Sequence, residues 1–174
     1  GGYKKVFDNV SFSLDTDWKL GFVGRNGRGK TTFLNLLMGK YAYGGSITAS
    51  VRFTYFPFHV SDKHLSVREI LCVICPQAEE WEILRELSYL QMDADAYYDR
   101  FSHLSSGEQT KVLLAGLFLK EGNFLLIDEP TNHLDVAARR IVSDYLKRKK
   151  GFILVSHDRV FLDGCVDHIL SINK

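Results

Sequence analysis

A short glycine-rich segment, residues 24–32, has the residue types needed to hold a chain of phosphates. It fits the pattern G-x-x-x-x-G-K-[ST] at every fixed position. Its glycines permit positive φ values and a close approach of the backbone, so that consecutive N–H groups can surround a phosphate. Lys30 would add a positive charge at the β- and γ-phosphates, and the Thr31 hydroxyl would ligate Mg²⁺. The segment therefore predicts a binding site for a nucleoside triphosphate, formed by Gly24, Arg25, Asn26, Gly27, Arg28, Gly29, Lys30, Thr31 and Thr32.

Two predicted elements flank this segment in the order that phosphate binding requires. Residues 19–23 are predicted to form a strand, and residues 31–38 a helix. The N-terminus of that helix would direct its free N–H groups and the positive end of its dipole at the phosphates. A glycine-rich turn without a ligand is the alternative, and the order strand, loop, helix disfavours it.

A pair of carboxylates, Asp128 and Glu129, follows a continuous apolar run at residues 124–127. Such a run is typical of a parallel strand that is buried on both faces. Ligands of α/β sheets bind at the carboxyl ends of these strands, so we expect the pair to lie beside the glycine-rich segment. His157 follows a similar run at residues 152–155. The alternatives are a helix cap for the carboxylates and an ordinary surface or core role for the histidine.

The first half of the chain contains two further strand patterns. Apolar and polar residues alternate in residues 6–14 and 47–55, which predicts half-buried strands. We expect these strands and the strand at residues 19–23 to be antiparallel to one another. Ser66 and Glu69 form a capping-box pattern for a helix that ends near residue 76, and residues 81–90 predict a second helix.

Helices and strands alternate from residue 104 onward. We expect a helix from residue 104 to residue 120, a helix at residues 136–149, and strands at residues 152–155 and 168–172. Alternating strands and helices predict a parallel α/β sheet for this half.

Composition limits the size and setting of the protein. The chain has 174 residues, 45% of them hydrophobic, which predicts one globular domain. The net charge of +1 argues against a broad nucleic-acid-binding surface, and the basic run at residues 147–150 is expected at a helix C-terminus. Cys72, Cys75 and Cys165 are expected to be reduced, buried thiols. With no signal peptide and no apolar run near the roughly twenty residues of a membrane span, we expect a soluble cytoplasmic protein.

The order of these motifs resembles that of the nucleotide-binding domain of ATP-binding-cassette (ABC) proteins. The matching pieces are the glycine-rich segment, residues 104–109, the carboxylate pair and His157, and the resemblance covers nearly the whole chain. Its most specific part is residues 128–135, Asp-Glu-Pro-Thr-Asn-His-Leu-Asp, which resembles the ABC-F branch. Transporter cassettes more often have Ser-Ala or Ser-Asn at residues 132–133. Within the ABC-F branch, residues 18–22 and 55–58 resemble Lsa-type antibiotic-resistance proteins, which protect ribosomes.

The resemblance implies a fold and a function for the whole chain. Residues 1–174 would be an ABC-type α/β phosphate-loop domain, with a mostly parallel core sheet, an antiparallel β subdomain and a small helical subdomain at residues 59–103. It would be an ATP-hydrolysing cassette of a soluble protein that has two cassettes and acts on the ribosome. The alternative is the ATPase subunit of a membrane transporter. A degenerate, non-hydrolysing module is disfavoured, because the motif residues are intact.

The resemblance also implies roles for individual residues. Asp128 and Thr31 would hold Mg²⁺, Glu129 would be the general base for the attacking water, and His157 would contact the γ-phosphate and that water. Asp135 would lie at the interface with a second cassette, packed head-to-tail. The ATP of that second cassette would be contacted by the start of the helix after residue 104, which contains Ser105, Ser106 and Gly107.

Three departures from the family pattern are visible. Phe58 stands where most cassettes have a glutamine that helps to hold Mg²⁺, and Ser106 stands where a glycine is commoner. Tyr3 is near the expected position of the aromatic residue that stacks on adenine but is out of register, so the chain resembles a first cassette without its leading strand. We therefore expect the isolated chain to be a monomer without nucleotide and to hydrolyse ATP slowly.

Overall fold

A parallel sheet positions the residues that the sequence singles out. The computed structural model describes residues 19–23 and 52–171. The strands in these ranges are β1 (Lys19–Val23), β2 (Arg52–Phe56), β3 (Asn123–Asp128), β4 (Phe152–Ser156) and β5 (His168–Ser171). They pair in the order β2-β3-β4-β1-β5, and each neighbouring pair is parallel.

Burial explains why the apolar runs form the middle of this sheet. All five residues of β4 are buried, and so are residues 124–127 of β3. Helices cover both faces of such a sheet, which is why these strands are apolar throughout instead of alternating. The α/β fold class that the sequence predicts is confirmed.

Helices are the other regular elements of the described chain. They are α1 (Val67–Ile74), α2 (Glu80–Tyr89), α3 (Ser106–Leu119), α4 (Val136–Lys147) and α5 (Arg159–Asp163). Short 3-10 helices lie at Ala94–Tyr98, Phe101–His103 and Pro130–His133. Within residues 19–23 and 52–171, none of these helices has both the length and the apolar character that crossing a bilayer would require. The predicted elements from residue 66 onward are confirmed, with differences of one or two residues at their ends.

The prediction of antiparallel strands is wrong for the part of it that the structure describes. β1 and β2 lie in the same parallel sheet, where β2 pairs in register with β3. β2 is the last strand on its side of the described sheet. Its burial does not follow the apolar alternation of the sequence, because Thr54 and Phe56 are buried while Tyr55 is exposed. The predicted strand at residues 6–14, the helix at 31–38, residues 47–51 and Tyr3 lie outside the described residues.

The helical insert, residues 59–103, packs on the sheet through α3. The first helix of the insert, α1, is capped by Ser66, whose Oγ accepts a hydrogen bond from the Glu69 N–H at 3.1 Å. The apolar stripe of that helix faces α3, where a glycine allows a very close approach. A Cβ atom at Gly116 would lie 2.6 Å from Leu71 Cδ2 and 3.3 Å from Ile74 Cγ2. A larger residue at this crossing would force the Leu71 and Ile74 side chains to move, so glycine allows the two helices to pack closely.

A buried carboxylate joins the helical insert to the core. Glu86 on α2 is fully buried and accepts hydrogen bonds from the Tyr145 hydroxyl, at 2.7 Å, and from Lys149 Nζ. Arg85 Nε approaches the other carboxylate oxygen at 3.3 Å. Burial, followed by the neighbouring Glu86 charge, raises the pKa of Tyr145 well above its ordinary value. The basic run does start at the C-terminus of α4, as predicted, but Lys149 bonds to this carboxylate.

The expectation of three buried thiols is wrong for Cys72, which is exposed. The buried stripe of α1 contains Ile70, Leu71 and Ile74, and the residue after Leu71 points about 100° away from it. Cys75 and Cys165 are buried, and burial raises the pKa of each thiol to about 11. All three cysteines are free thiols.

Candidate functional site

The carboxyl ends of three strands meet at one edge of the sheet. Asp128 of β3 lies opposite Val155 of β4, and Ser156 of β4 lies opposite Val23 of β1. Residue 24, the start of the glycine-rich segment, follows Val23 in the sequence. Residues 24–32 themselves lie outside the described residues, so the structure does not test the phosphate-binding prediction for them. It does bring the predicted carboxylates and His157 to a single edge.

Glu129 lies where β3 leaves the sheet, in a left-handed conformation with φ of 50° and ψ of 62°. Its N–H donates to the Val155 carbonyl at 2.8 Å, which ties this turn to β4. One carboxylate oxygen accepts from the Thr131 hydroxyl at 3.1 Å and from the Ser156 hydroxyl at 3.3 Å. The other accepts from the His157 N–H at 2.5 Å. Since a non-glycine residue in this conformation is strained, such contacts must over-determine its position.

The side chains of Glu129 and His157 are in direct contact. The Nδ1 atom of His157 lies 2.5 Å from Glu129 Oε1. Only 7% of the glutamate side chain is exposed, against 49% of the histidine side chain. The Glu129 carboxylate is thus buried and held in one orientation, while the His157 imidazole beside it reaches solvent. This arrangement can accept a proton from a water molecule and orient that water, as the sequence interpretation requires.

Asp128, the last residue of β3, is in contact with Tyr55 of β2. The Tyr55 hydroxyl donates to Asp128 Oδ2 at 3.1 Å. Burial, followed by the negative charge of Asp128 and this hydrogen bond, raises the pKa of Tyr55 to about 12. The tyrosine therefore remains a hydrogen-bond donor to the carboxylate at neutral pH.

The residues present fit a Mg²⁺ ion that is bound together with phosphates. Mg²⁺ prefers oxygen ligands and is usually held by one or two carboxylates, water and substrate phosphates. Asp128 supplies a carboxylate at the sheet edge. Within the part of the chain that the structure describes, no group of three His, Cys, Asp or Glu side chains is placed to hold a metal ion. A single carboxylate such as that of Asp128 fits an ion whose other ligands are phosphates and water.

A cleft of about 800 Å³ opens beside the carboxylates. Asp128 and Glu129 line one side, and the segment after β2, including Phe58, lines another. Phe58 is half-buried there, in the place that the family pattern gives to a glutamine. Its ring cannot ligate a metal.

The start of α3 carries a reciprocal pair of capping hydrogen bonds. Ser105 Oγ accepts from the Glu108 N–H at 3.1 Å, and Glu108 Oε1 accepts from the Ser105 N–H at 3.0 Å. A Cβ atom at Gly107 would lie 3.2 Å from the His133 carbonyl oxygen, so glycine lets this turn approach the segment that follows Glu129. Ser106, the first residue of the helix, is exposed and lines the cleft beside the carboxylates.

A shallow depression connects this helix start with Asp135. Its lining includes Ser105, Gly107 and Asp135. Asp135 is exposed, and its carboxylate caps α4 by accepting from the Ala138 N–H at 2.7 Å. The predicted second-cassette residues thus lie together on one exposed face, next to the predicted catalytic residues.

Sequence reasoning missed the residues that hold the carboxylates in place. Thr131 and Ser156 bond to Glu129, and Tyr55 bonds to Asp128. A signal existed for Ser156, because it ends an apolar run in the same way as Asp128. Tyr55 could be found only by placing β2 next to β3, which no local pattern reveals.

Comparison with known families decides the assignment. The family model described as "ABC transporter" matches residues 7–132, which is more than half of the chain. The chain belongs to this family. The ABC cassette described here is similar to several ABC-F proteins, which confirms the branch that the sequence resembles.

Two curated relatives and one solved structure illustrate the similarity. The cassette is 32% identical to the ribosome protection protein VmlR of Bacillus subtilis (strain 168) over 177 residues, covering 99% of this chain and 32% of that protein. It is 29% identical to ABC transporter F family member 5 of Arabidopsis thaliana, covering 97% of this chain and 26% of that protein. The archaeal ribosome recycling factor aABCE1, solved with the ribosomal stalk protein aP1, matches with a TM-score of 0.71 and 29% identity, covering 92% of this chain and 32% of that one. The cassette therefore spans between about a quarter and a third of the length of these relatives.

Proposed function

We propose that this chain is the ATP-hydrolysing cassette of a cytoplasmic ABC-F protein that acts on the ribosome. The observation that carries the proposal is the contact between Glu129 and His157 at the sheet edge, next to Asp128. An ABC cassette binds ATP, and this geometry supplies a fixed carboxylate and an exposed imidazole where the triphosphate would end.

Each predicted site residue then has one role in hydrolysis. The segment at residues 24–32 binds the phosphates through its backbone N–H groups and Lys30. Asp128 and Thr31 hold Mg²⁺, which would neutralise charge on the phosphate oxygens. Glu129 accepts a proton from the attacking water, and His157 orients that water toward the γ-phosphate.

A second cassette completes the site. The exposed face that contains Ser105, Ser106, Gly107 and Asp135 has helix N–H groups and hydroxyls suited to an anion. It would contact the ATP held by the other cassette in a head-to-tail arrangement. The relatives are long enough to contain a second cassette, since the matched region covers 32% of one and 26% of the other.

Hydrolysis should therefore depend on association of cassettes. We expect the isolated chain to be a monomer without nucleotide, to bind Mg-ATP weakly and to have a rate per molecule that rises with protein concentration. Steady-state hydrolysis across a concentration series, with sedimentation in parallel, measures both properties. Rapid hydrolysis by a dilute monomer would show that the second cassette is not needed.

Two similarities support action on the ribosome. VmlR is named a ribosome protection protein, and aABCE1 is named a ribosome recycling factor. Residues 128–135 match the ABC-F sequence pattern, and the similarity to VmlR supports ribosome protection, through which the protein would give antibiotic resistance. The net charge of +1 is compatible with this function if most contacts with RNA are made by other parts of the full-length protein.

The second candidate is the ATPase subunit of a membrane transporter. The cleft beside Phe58 favours it, because a groove of about 800 Å³ could receive a helix of a membrane partner. Fractionation with ribosomes or with membranes separates the two candidates.

A further inference from the structure

The Tyr55 hydroxyl donates a hydrogen bond to Asp128, the carboxylate that would hold Mg²⁺ in the proposed function. We propose that Tyr55 is a positioning residue for this metal site. It holds the Asp128 carboxylate in the orientation that a nucleotide-bound Mg²⁺ requires. The inference rests on the proposed function and adds a residue to it.

Strand pairing places Tyr55 where it can do this. Tyr55 of β2 lies opposite Leu126 of β3. Side chains two residues apart on a strand share a face, so Asp128 projects from the same face as Leu126, one step nearer the carboxyl end. The long tyrosine side chain crosses this diagonal, and its hydroxyl donates to Asp128 Oδ2 at 3.1 Å. Both residues line the cleft beside Glu129.

The hydrogen bond has a chemical consequence for a metal ligand. A carboxylate at the end of a strand can rotate about its terminal torsion, which is broad. A donor on one oxygen fixes the plane of the carboxylate and occupies only one of its roughly four lone-pair sites. Mg²⁺ demands near-ideal octahedral geometry, so the orientation of each ligand matters more than for a larger ion. Loss of a hydrogen-bond partner of a metal ligand typically lowers metal affinity about 10- to 100-fold.

The residues that follow Tyr55 make its hydroxyl more important. Phe56, Pro57 and Phe58 continue the wall of the cleft, and their side chains offer no oxygen to a metal. The Tyr55 hydroxyl is the group through which the β2 segment is seen to bond to the Asp128 carboxylate.

The test compares two tyrosine variants in ATP binding. Tyr55→Phe removes the hydroxyl and keeps the ring. Tyr98→Phe is the matched control, because the Tyr98 hydroxyl also donates to a carboxylate, Glu80 Oε1 at 2.5 Å, on the helical insert. The Kd of a fluorescent ATP analogue is measured for the purified proteins in Mg²⁺ and in EDTA. Binding of Mn²⁺ with ATP, followed by electron paramagnetic resonance, reports the metal directly.

We expect Tyr55→Phe to raise the Kd in Mg²⁺ and the Mn²⁺ concentration for half-saturation by about 10-fold. Its Kd in EDTA should stay within about twofold of the wild-type value, and Tyr98→Phe should match wild type in every measurement. Equal weakening of Tyr55→Phe in Mg²⁺ and in EDTA, or no change in either, would overturn the inference. Wild-type protein whose ATP binding ignores Mg²⁺ would instead overturn the proposed function, and the inference with it.

Discussion

Replacing Glu129 with glutamine is expected to preserve ATP binding and to slow hydrolysis at this site by about 10²- to 10⁴-fold. The amide fills the same volume and can still accept the hydrogen bond from the His157 N–H. It cannot accept a proton from water. Single-turnover hydrolysis of bound ATP, with binding measured separately, separates the two effects.

Glu80→Gln is the matched control for this prediction. Glu80 is an exposed glutamate on the helical insert, where its carboxylate accepts from the Tyr98 hydroxyl. We expect this variant to hydrolyse ATP at the wild-type rate. A wild-type single-turnover rate in Glu129→Gln would show that another group acts as the base.

Replacing Glu86 with alanine is expected to lower the free energy of unfolding by about 3–5 kcal/mol, since removing one partner of a buried ion pair leaves the other uncompensated. The change leaves the Tyr145 hydroxyl and the Lys149 ammonium, whose side chain is only 20% exposed, without their shared carboxylate. Both groups anchor the helical insert to α4. Urea denaturation followed by circular dichroism measures the loss.

The control for Glu86→Ala is Asp144→Ala on α4. Asp144 is 59% exposed and lies 3.7 Å from Lys147 in a surface ion pair. Pairs of this kind contribute about 0–1 kcal/mol, so removing this exposed carboxylate should cost little. Similar losses in the two variants would show that the buried network does not anchor the insert.

The sequence predicts the bounds of helices and strands in this cassette better than it predicts which strands lie side by side. Apolar runs and capping patterns are local, so they predict the bounds of β3, β4 and the start of α3 to within one or two residues. The order of strands depends on crossovers between distant segments. Alternation in residues 47–55 therefore predicts an antiparallel strand, although β2 lies parallel to β3 at one end of the strand order.

The same limit applies to the candidate site. The contact between Glu129 and His157 could be expected, because both follow apolar strands that end at one edge of a parallel sheet. The bond from Tyr55 to Asp128 could not, because it depends on β2 being the neighbour of β3. Glu86 is a further case, since a glutamate on an amphipathic helix is ordinarily exposed. Its partners Tyr145 and Lys149 are about sixty residues away in the sequence.

The central claim is that ATP binding by this cassette drives action on the ribosome, and trapping the ATP-bound state tests it most directly. Two cassettes that close on ATP are held together by the tighter binding of ATP to the closed state, so blocking hydrolysis should make this state accumulate. The full-length protein carrying Glu129→Gln, and the equivalent change in a second cassette, is centrifuged through a cushion with ribosomes and with membranes. The account predicts co-sedimentation with ribosomes that requires ATP and is lost at high salt. Sedimentation with membranes, and none with ribosomes, would contradict it.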